Sequence, residues 1–292
     1  MLVSEDFKRK IHATRDLPTL PIIAQKILML RNDDEDLAEK LGSIISNDQS
    51  LSVKVLTLAN SAYYGHRAQI GTIKKAVVVI GTSMLRQFSL GILVSKGLGR
   101  GTRERENFWR HSLLAANAAS TIAKRCMIPN TDICFMGGLL HDIGRLVLDT
   151  NLPGEYKQVE ALVKNEKNSP IEAERRIFDT DHAEVGAWMA EQWQLPSELV
   201  QSIGFHHSVE FISLQHSRIV AIVHAASLCA EAAEQMETTP LDQPRVFIPF
   251  DIEAAVGISQ GQFKDIVGSF TTEKPKSGCC SDNTRNGTFL TA

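Results

Sequence analysis

With 292 residues, 43% of them hydrophobic and 22% charged, the chain is long enough to bury a sizeable core as one large domain or two modest ones. Thirty-one basic against 34 acidic residues leave a net charge of -3, which argues against non-specific nucleic-acid binding. Five cysteines (Cys126, Cys134, Cys229, Cys279, Cys280) form no CxxC pair, and their odd number and wide spacing fit a reducing cytoplasm. The opening MLVSEDFKRKIHATRD contains no apolar stretch resembling a signal peptide, and no 18-residue apolar run occurs, so a cytoplasmic location without a membrane span is expected.

Aromatic residues are sparse at 6%, while Ala, Leu and Ile dominate, and the chain reads as helices from one end to the other. In LPTLPIIAQKILML, Pro18 and Pro21 stand at a helix start, where a missing amide hydrogen costs little, and Ile23, Ile27 and Leu30 follow at helical spacing. Leu37, Leu41, Ile44 and Ile45 form the next stripe. Asn47, Asp48 and Ser50 are candidate caps for a helix carrying Leu51, Val55, Leu58 and Ala59. AVVVIG (residues 76–81) is ambiguous locally, because three consecutive valines favour a strand. A lone strand would have no partner in a helical chain, so the expectation is a buried helix ending at Gly81, followed by another from Ser83 through Met84, Leu85, Phe88 and Ile92.

GLGRGTRERE (residues 97–106) is glycine-rich and charged and is the candidate boundary between subdomains, 1–100 and 101–270. Beyond it, Leu114, Ala118 and Ile122 form one stripe and Phe135, Leu139 and Leu140 another. Asp181 is a candidate cap for the helix of Val185, Trp188 and Met189, Pro196 precedes a helix over 197–204, and residues 218–234 form a strong helix. Residues 271–292 lack apolar periodicity and are expected to be a disordered tail.

Seven of nine histidines lie between residues 111 and 224: His111, His141, His182, His206, His207, His216 and His224. In GLLHDIG (residues 138–144), His141 and Asp142 stand together at a helix end. Such a pair can give an imidazole and a carboxylate to one metal or to two neighbouring metals; equally, the histidine can cap the helix while Asp142 accepts backbone hydrogen bonds. The surroundings favour the metal. His111, His182 and the His206–His207 pair also fall at or near helix ends, from which several helices can aim side chains into one pocket. His12, His66 and His216 have no such setting and read as surface residues.

GLLHDIGRLVL resembles the signature of the HD phosphohydrolase superfamily, and the series His111, His141–Asp142, His182, His206–His207 is similar in order to the metal ligands of its HD-GYP branch. The N-terminal half resembles HDOD domains: LPTLPIIAQKI, ISNDQSLSVKVLTLANSAYYG and IGTIKKAVVVIGTSMLRQFSLGI all match, as does DHAEVGAWMAEQWQLPSELVQSIGFHH, over roughly residues 10–235. The resemblance implies an all-α fold in which an N-terminal helical subdomain packs on an HD-like helical bundle. It implies a bacterial signalling module that binds a divalent transition metal (iron, manganese, zinc or nickel, one or two ions) through His111, His141, Asp142, His182, His206, His207 and His224.

This sequence departs from the HD-GYP pattern at three places. SVEFISLQ follows His206–His207 where that branch has Gly-Tyr-Pro, His224 stands where a final aspartate is usual, and Asn107 stands where a glutamate often precedes the first histidine. With Asp142 as the one carboxylate in the set, a single imidazole-rich site is easier to neutralise than a pair of ions. A non-catalytic regulatory module with a protein partner is therefore the first expectation. The helices around Leu51–Tyr64 and Met84–Val94 would serve it as an interaction platform or pack within the chain, and Tyr63, Tyr64 and Arg67 are candidates for a binding surface. The second is a metal-dependent phosphohydrolase acting on a nucleotide or cyclic dinucleotide, in which Asp142 is catalytic and Arg145 grips a phosphate oxygen rather than being a solvated helical arginine.

Overall fold

A computed structural model describes residues 3–14, 20–61, 70–97, 103–129, 131–166, 168–208, 217–238 and 247–271. Among the described residues every regular element is a helix. The N-terminal half comprises α1 (Glu5–Thr14), α2 (Ile22–Leu28), α3 (Leu37–Ser46), α4 (Gln49–Ala59), α5 (Ile73–Ile80) and α6 (Thr82–Gly97). The C-terminal half begins with α7 (Arg103–Arg125), α8 (Thr131–Leu140), α9 (Ile143–Asn151), α10 (Pro153–Glu166) and α11 (Pro170–Phe178). It ends with α12 (His182–Gln192), α13 (Ser197–Gly204), α14 (Ser217–Thr238), α15 (Phe250–Val256) and α16 (Gln260–Thr271).

Local chemistry fixes most boundaries. Of the three candidate caps before α4 it is Asp48 that accepts the Leu51 amide, at 2.8 Å. The valine-rich run is a helix as expected: Thr72 caps it through the Lys75 amide, and it stops at Gly81, whose φ of 85° suits a residue without Cβ. Its strand-like propensity loses to packing, since Ile73, Ala76, Val77 and Ile80 are buried at helical spacing while Val78 stays exposed. Ser169 and Glu172 close a reciprocal capping box at the start of α11, and Asp181 caps α12 through the Glu184 amide.

Two apolar clusters hold the helices together. One runs from Val3 and Phe7 through Leu51, Val55, Leu85 and Leu90 to Leu139, Val147, Val185 and Ile203, so it draws on both sides of residues 97–106. Leu51, Val55, Leu58, Leu85, Leu90, Ile92, Leu93 and Val94 are all buried there, which leaves Val53 as an exposed apolar residue of α4. The second cluster lies between α7, α14, α15 and α16, around Ile122, Ile222, Ile252 and Phe263. One helical stretch, Arg218–Met236, is long and apolar enough to cross a membrane by composition; 61% of it is buried within the fold, packed on α7. The boundary residues 98–102, His66, His216, Tyr63, Tyr64, Arg67, Cys279, Cys280 and the tail from residue 272 lie outside the described residues, and so does the side chain of His12.

Candidate metal centre

Close backbone contact brings the ligand-bearing helices together. A Cβ on Gly144 would overlap the carbonyl of His182, so only glycine lets the first turn of α9 lie directly on the start of α12. A Cβ on Gly138 would come within 2.6 Å of the Ala115 carbonyl, so glycine again lets α8 sit tightly on α7, the helix that carries His111. These two approaches flank His141 and Asp142 in the α8–α9 turn.

Asp142 is the hub. It is 2% exposed, and four imidazoles reach it: His182 Nε2 at 3.2 Å and His206 Nε2 at 3.6 Å from Oδ1, His141 Nε2 at 3.6 Å and His111 Nε2 at 3.9 Å from Oδ2. His207 Nε2 stands 3.1 Å from His182 Nε2. Two donor groups result, each with ligand atoms within 4.8 Å of one another: Asp142, His182, His206 and His207; and His111, His141 and Asp142. The sequence-based set of His111, His141, Asp142, His182, His206 and His207 is thus brought to one place.

The orientation of the rings fits a cation. His141 Nδ1 lies 2.8 Å from the Gly138 carbonyl and His206 Nδ1 2.7 Å from the Ile203 carbonyl. A carbonyl only accepts, so each Nδ1 carries the proton and each Nε2 presents a lone pair to the centre. Both of those Nε2 atoms, and Asp142 Oδ1, are buried without a hydrogen-bond partner. His206 Nε2 and Oδ1 belong to one donor group, and orphaned acceptors so placed are costly unless a cation serves them; His141 Nε2 belongs to the other group.

Two carboxylates extend the set outward. Glu174, fully buried on α11, accepts from His182 Nδ1 at 2.6 Å and from the His182 amide at 2.9 Å. Glu234 on α14 lies 3.2 Å from His111 Nδ1. A ligand histidine whose far nitrogen donates to a carboxylate is oriented and made more basic. Sequence reasoning missed both, along with Glu231, whose charge acts on His111, Asp142, Arg145 and His224. Their separations from their partners in the chain, 8 residues for Glu174 and 123 for Glu234, follow no motif. Counting Asp142 as the lone carboxylate therefore understated the negative charge available.

Protonation preferences follow from this layout. Burial drives the His141 pKa down to about 3, and with the neighbouring imidazoles it lowers those of His206 and His207 as well. Burial also works against imidazolium at His182, but the adjacent Asp142 carboxylate and the Glu174 hydrogen bond outweigh that and raise it. His111 is raised likewise, burial being outweighed by Glu234 and by the charge of Asp142. Burial opposes the Asp142 carboxylate, yet Arg145 and the imidazoles hold its pKa well below the usual range.

Two sequence-based expectations need correction. His224 lies outside both donor groups; its Nδ1 bonds the His206 carbonyl and so props the turn that carries His206 and His207. The α14 register delivers this ring to backbone rather than to the carboxylate hub. Arg145 is not a solvated helical arginine: its Nη1 lies 3.1 Å from Asp142 Oδ2 and its side chain is 30% exposed. Asn107, noted above as a position without a carboxylate, is exposed.

The family model for the HDOD domain matches residues 17–209. The chain belongs to the HDOD family. An HDOD domain protein with unknown function from Geobacter sulfurreducens has a similar structure, with a TM-score of 0.73 and 27% identity, over 91% of this chain and 96% of that one. A protein from Shewanella amazonensis SB2B described as a "Putative phosphohydrolase" superposes with a TM-score of 0.70 and 25% identity, over 91% of this HDOD chain and 94% of that one. An uncharacterized protein of Treponema pallidum (strain Nichols) is 26% identical over 241 residues, which is 80% of this chain. This HDOD chain spans about half the length of that relative, 46%.

Proposed function

We propose that this chain is a regulatory HDOD module that binds a divalent transition metal ion and signals through a protein partner, without hydrolysing a substrate. The observation that carries the reading is the donor group on the Oδ1 side of Asp142. Three imidazoles and one carboxylate make a four-ligand set, in which His182, His206 and Asp142 are 0%, 0% and 2% exposed and His207 is partly buried. Structural sites have all ligands supplied by protein and are closed, whereas catalytic sites keep a position open for water. Imidazole-rich ligation suits iron, zinc, nickel or manganese and disfavours magnesium and calcium. Asp142, His182, His206 and His207 would hold the ion.

One observation favours a second reading, a metal-dependent phosphohydrolase. On the Oδ2 side the site is less closed, with the His111 and Arg145 side chains 14% and 30% exposed. There a divalent ion would supply an acidified water and charge for a phosphoryl oxygen, while Arg145 offers a guanidinium at the mouth.

Metal analysis of the purified protein, beside a bis-para-nitrophenyl phosphate assay with added manganese, separates the two. Bound metal without turnover is the expected result. Turnover that Asp142→Ala abolishes would establish the hydrolase instead, and a protein free of metal under saturating supply would remove the basis of both.

A further inference from the structure

The two donor groups share one carboxylate, so the centre has room for two ions only if Asp142 bridges them. Arg145 already occupies one side of that bridge. We infer that the Arg145 guanidinium takes the place of a second cation at Asp142 Oδ2, limiting the centre to one divalent ion held by Oδ1, His182, His206 and His207. This inference rests on the metal-binding reading above and adds to it the residue that excludes a second ion.

Local geometry builds the contact. Asp142 is the residue before α9 and Arg145 lies in its first turn; the Arg145 amide bonds the Asp142 carbonyl at 2.9 Å, and the two side chains meet at 3.1 Å. A guanidinium stays charged at every pH at which the protein folds. An ion among His111, His141 and Oδ2 would therefore have to share its single carboxylate oxygen with a fixed positive charge.

Charge balance points the same way. Around the centre stand the carboxylates of Asp142, Glu174, Glu234 and Glu231. The guanidiniums are Arg145 and Arg110, the latter 3.6 Å from Glu234. The excess of two negative charges is cancelled by one divalent ion and overshot by two. The unpartnered carboxylate oxygen is also the one on the other side: Oδ1 and His206 Nε2 are orphaned there, while on the Oδ2 side, where His141 Nε2 is orphaned, the carboxylate has Arg145.

Reconstitution of the stripped 292-residue chain with manganese, followed by gel filtration, elemental counting and electron paramagnetic resonance, tests this. The expected result is one equivalent with an uncoupled signal for the wild type and for Arg145→Lys, and two equivalents with a spin-coupled signal for Arg145→Gln. His111→Ala is expected to keep one equivalent and His182→Ala to lose it. Two equivalents in the wild type, an unchanged single equivalent in folded Arg145→Gln, or loss of the ion in His111→Ala would overturn the inference and leave the metal-binding reading standing. A wild type that retains no manganese, zinc or iron would sink both. Should Arg145→Gln fail to fold, the wild-type count together with His111→Ala still decides.

Discussion

The carboxylate of Glu174 holds His182 at two points, the ring Nδ1 at 2.6 Å and the backbone amide at 2.9 Å, and all of these groups are buried. One side chain thus sets the position of the α12 start and the direction of an imidazole at once. Replacing it by glutamine keeps the shape but removes the charge that makes His182 a stronger donor. Loss of such an outer partner typically weakens metal binding by about 10–100-fold. Glu174→Gln is expected to raise the dissociation constant for zinc or manganese by about that factor, measured by competition with a chelator of known affinity. Unchanged affinity would mean that His182 is not a ligand.

Gly144 makes a different kind of contribution. Any Cβ there meets the His182 carbonyl and comes within 2.8 Å of the Gly186 amide, both backbone atoms that cannot rotate away. Gly144→Ala therefore has to push α9 off α12, separating Asp142 from His182. Overpacking of this sort costs typically about 1–3 kcal/mol, and rigid backbone on the far side puts this case at the upper end. The expected outcome is a lower urea midpoint together with weakened metal binding. A variant with wild-type stability and affinity would show that the helices have slack there.

How much of this was readable beforehand differs by element. Stripes such as Leu37, Leu41, Ile44 and Ile45 announce helices because burial of one face repeats every three or four residues, and local caps such as Asp48 and Asp181 act within one turn. The histidines were legible because their order along the chain resembles a known series. Glu174 and Glu234 were not, since each becomes a partner only when distant helices meet. His224 misled for the same reason: its place in the series is right, but the rotation of α14 turns it to the His206 carbonyl.

A buried polar group joins the N-terminal half to α8, the helix that leads into the candidate site. Arg86 on α6 is 5% exposed and donates to the Ile27 carbonyl at 3.0 Å, to Asn32 Oδ1 at 2.6 Å and to Asp132 Oδ2 at 3.3 Å. It also donates to the Leu30 carbonyl, just beyond the end of α2. Asp132 lies in the first turn of α8, which ends at Leu140 just before His141. Breaking a buried pair from one side leaves its partner charged and uncompensated, at about 3–5 kcal/mol. Gln87 and Ser83 still reach Asp132, at 2.9 and 3.0 Å, so Arg86→Met is expected near the lower end, read from chemical denaturation. A loss below about 1 kcal/mol would show that the pair merely breaks even against its desolvation.

Three thiols are closed off from solvent. Cys134 and Cys229 are fully buried, and burial pushes both up to about 12. Cys126 is raised by burial too, against the pull of nearby Arg218, and its Sγ donates to the Val256 carbonyl at 3.1 Å. Because the thiolate is the reactive form, a disulfide reagent at pH 8 is expected to titrate at most two of the five cysteines in the folded chain and all five in denaturant. The sign for stability follows from the same shifts. The unfolded thiols deprotonate near pH 8.5 while the folded ones hold their protons, so the unfolded state binds fewer protons above that pH. The contribution of these residues is complete below about pH 8.5 and falls away as the pH climbs toward 12. Denaturation midpoints taken between pH 7 and 10.5 are expected to drop more steeply for the wild type than for Cys134→Ala/Cys229→Ala. Parallel curves would show that these thiols ionise alike in the folded and unfolded chain.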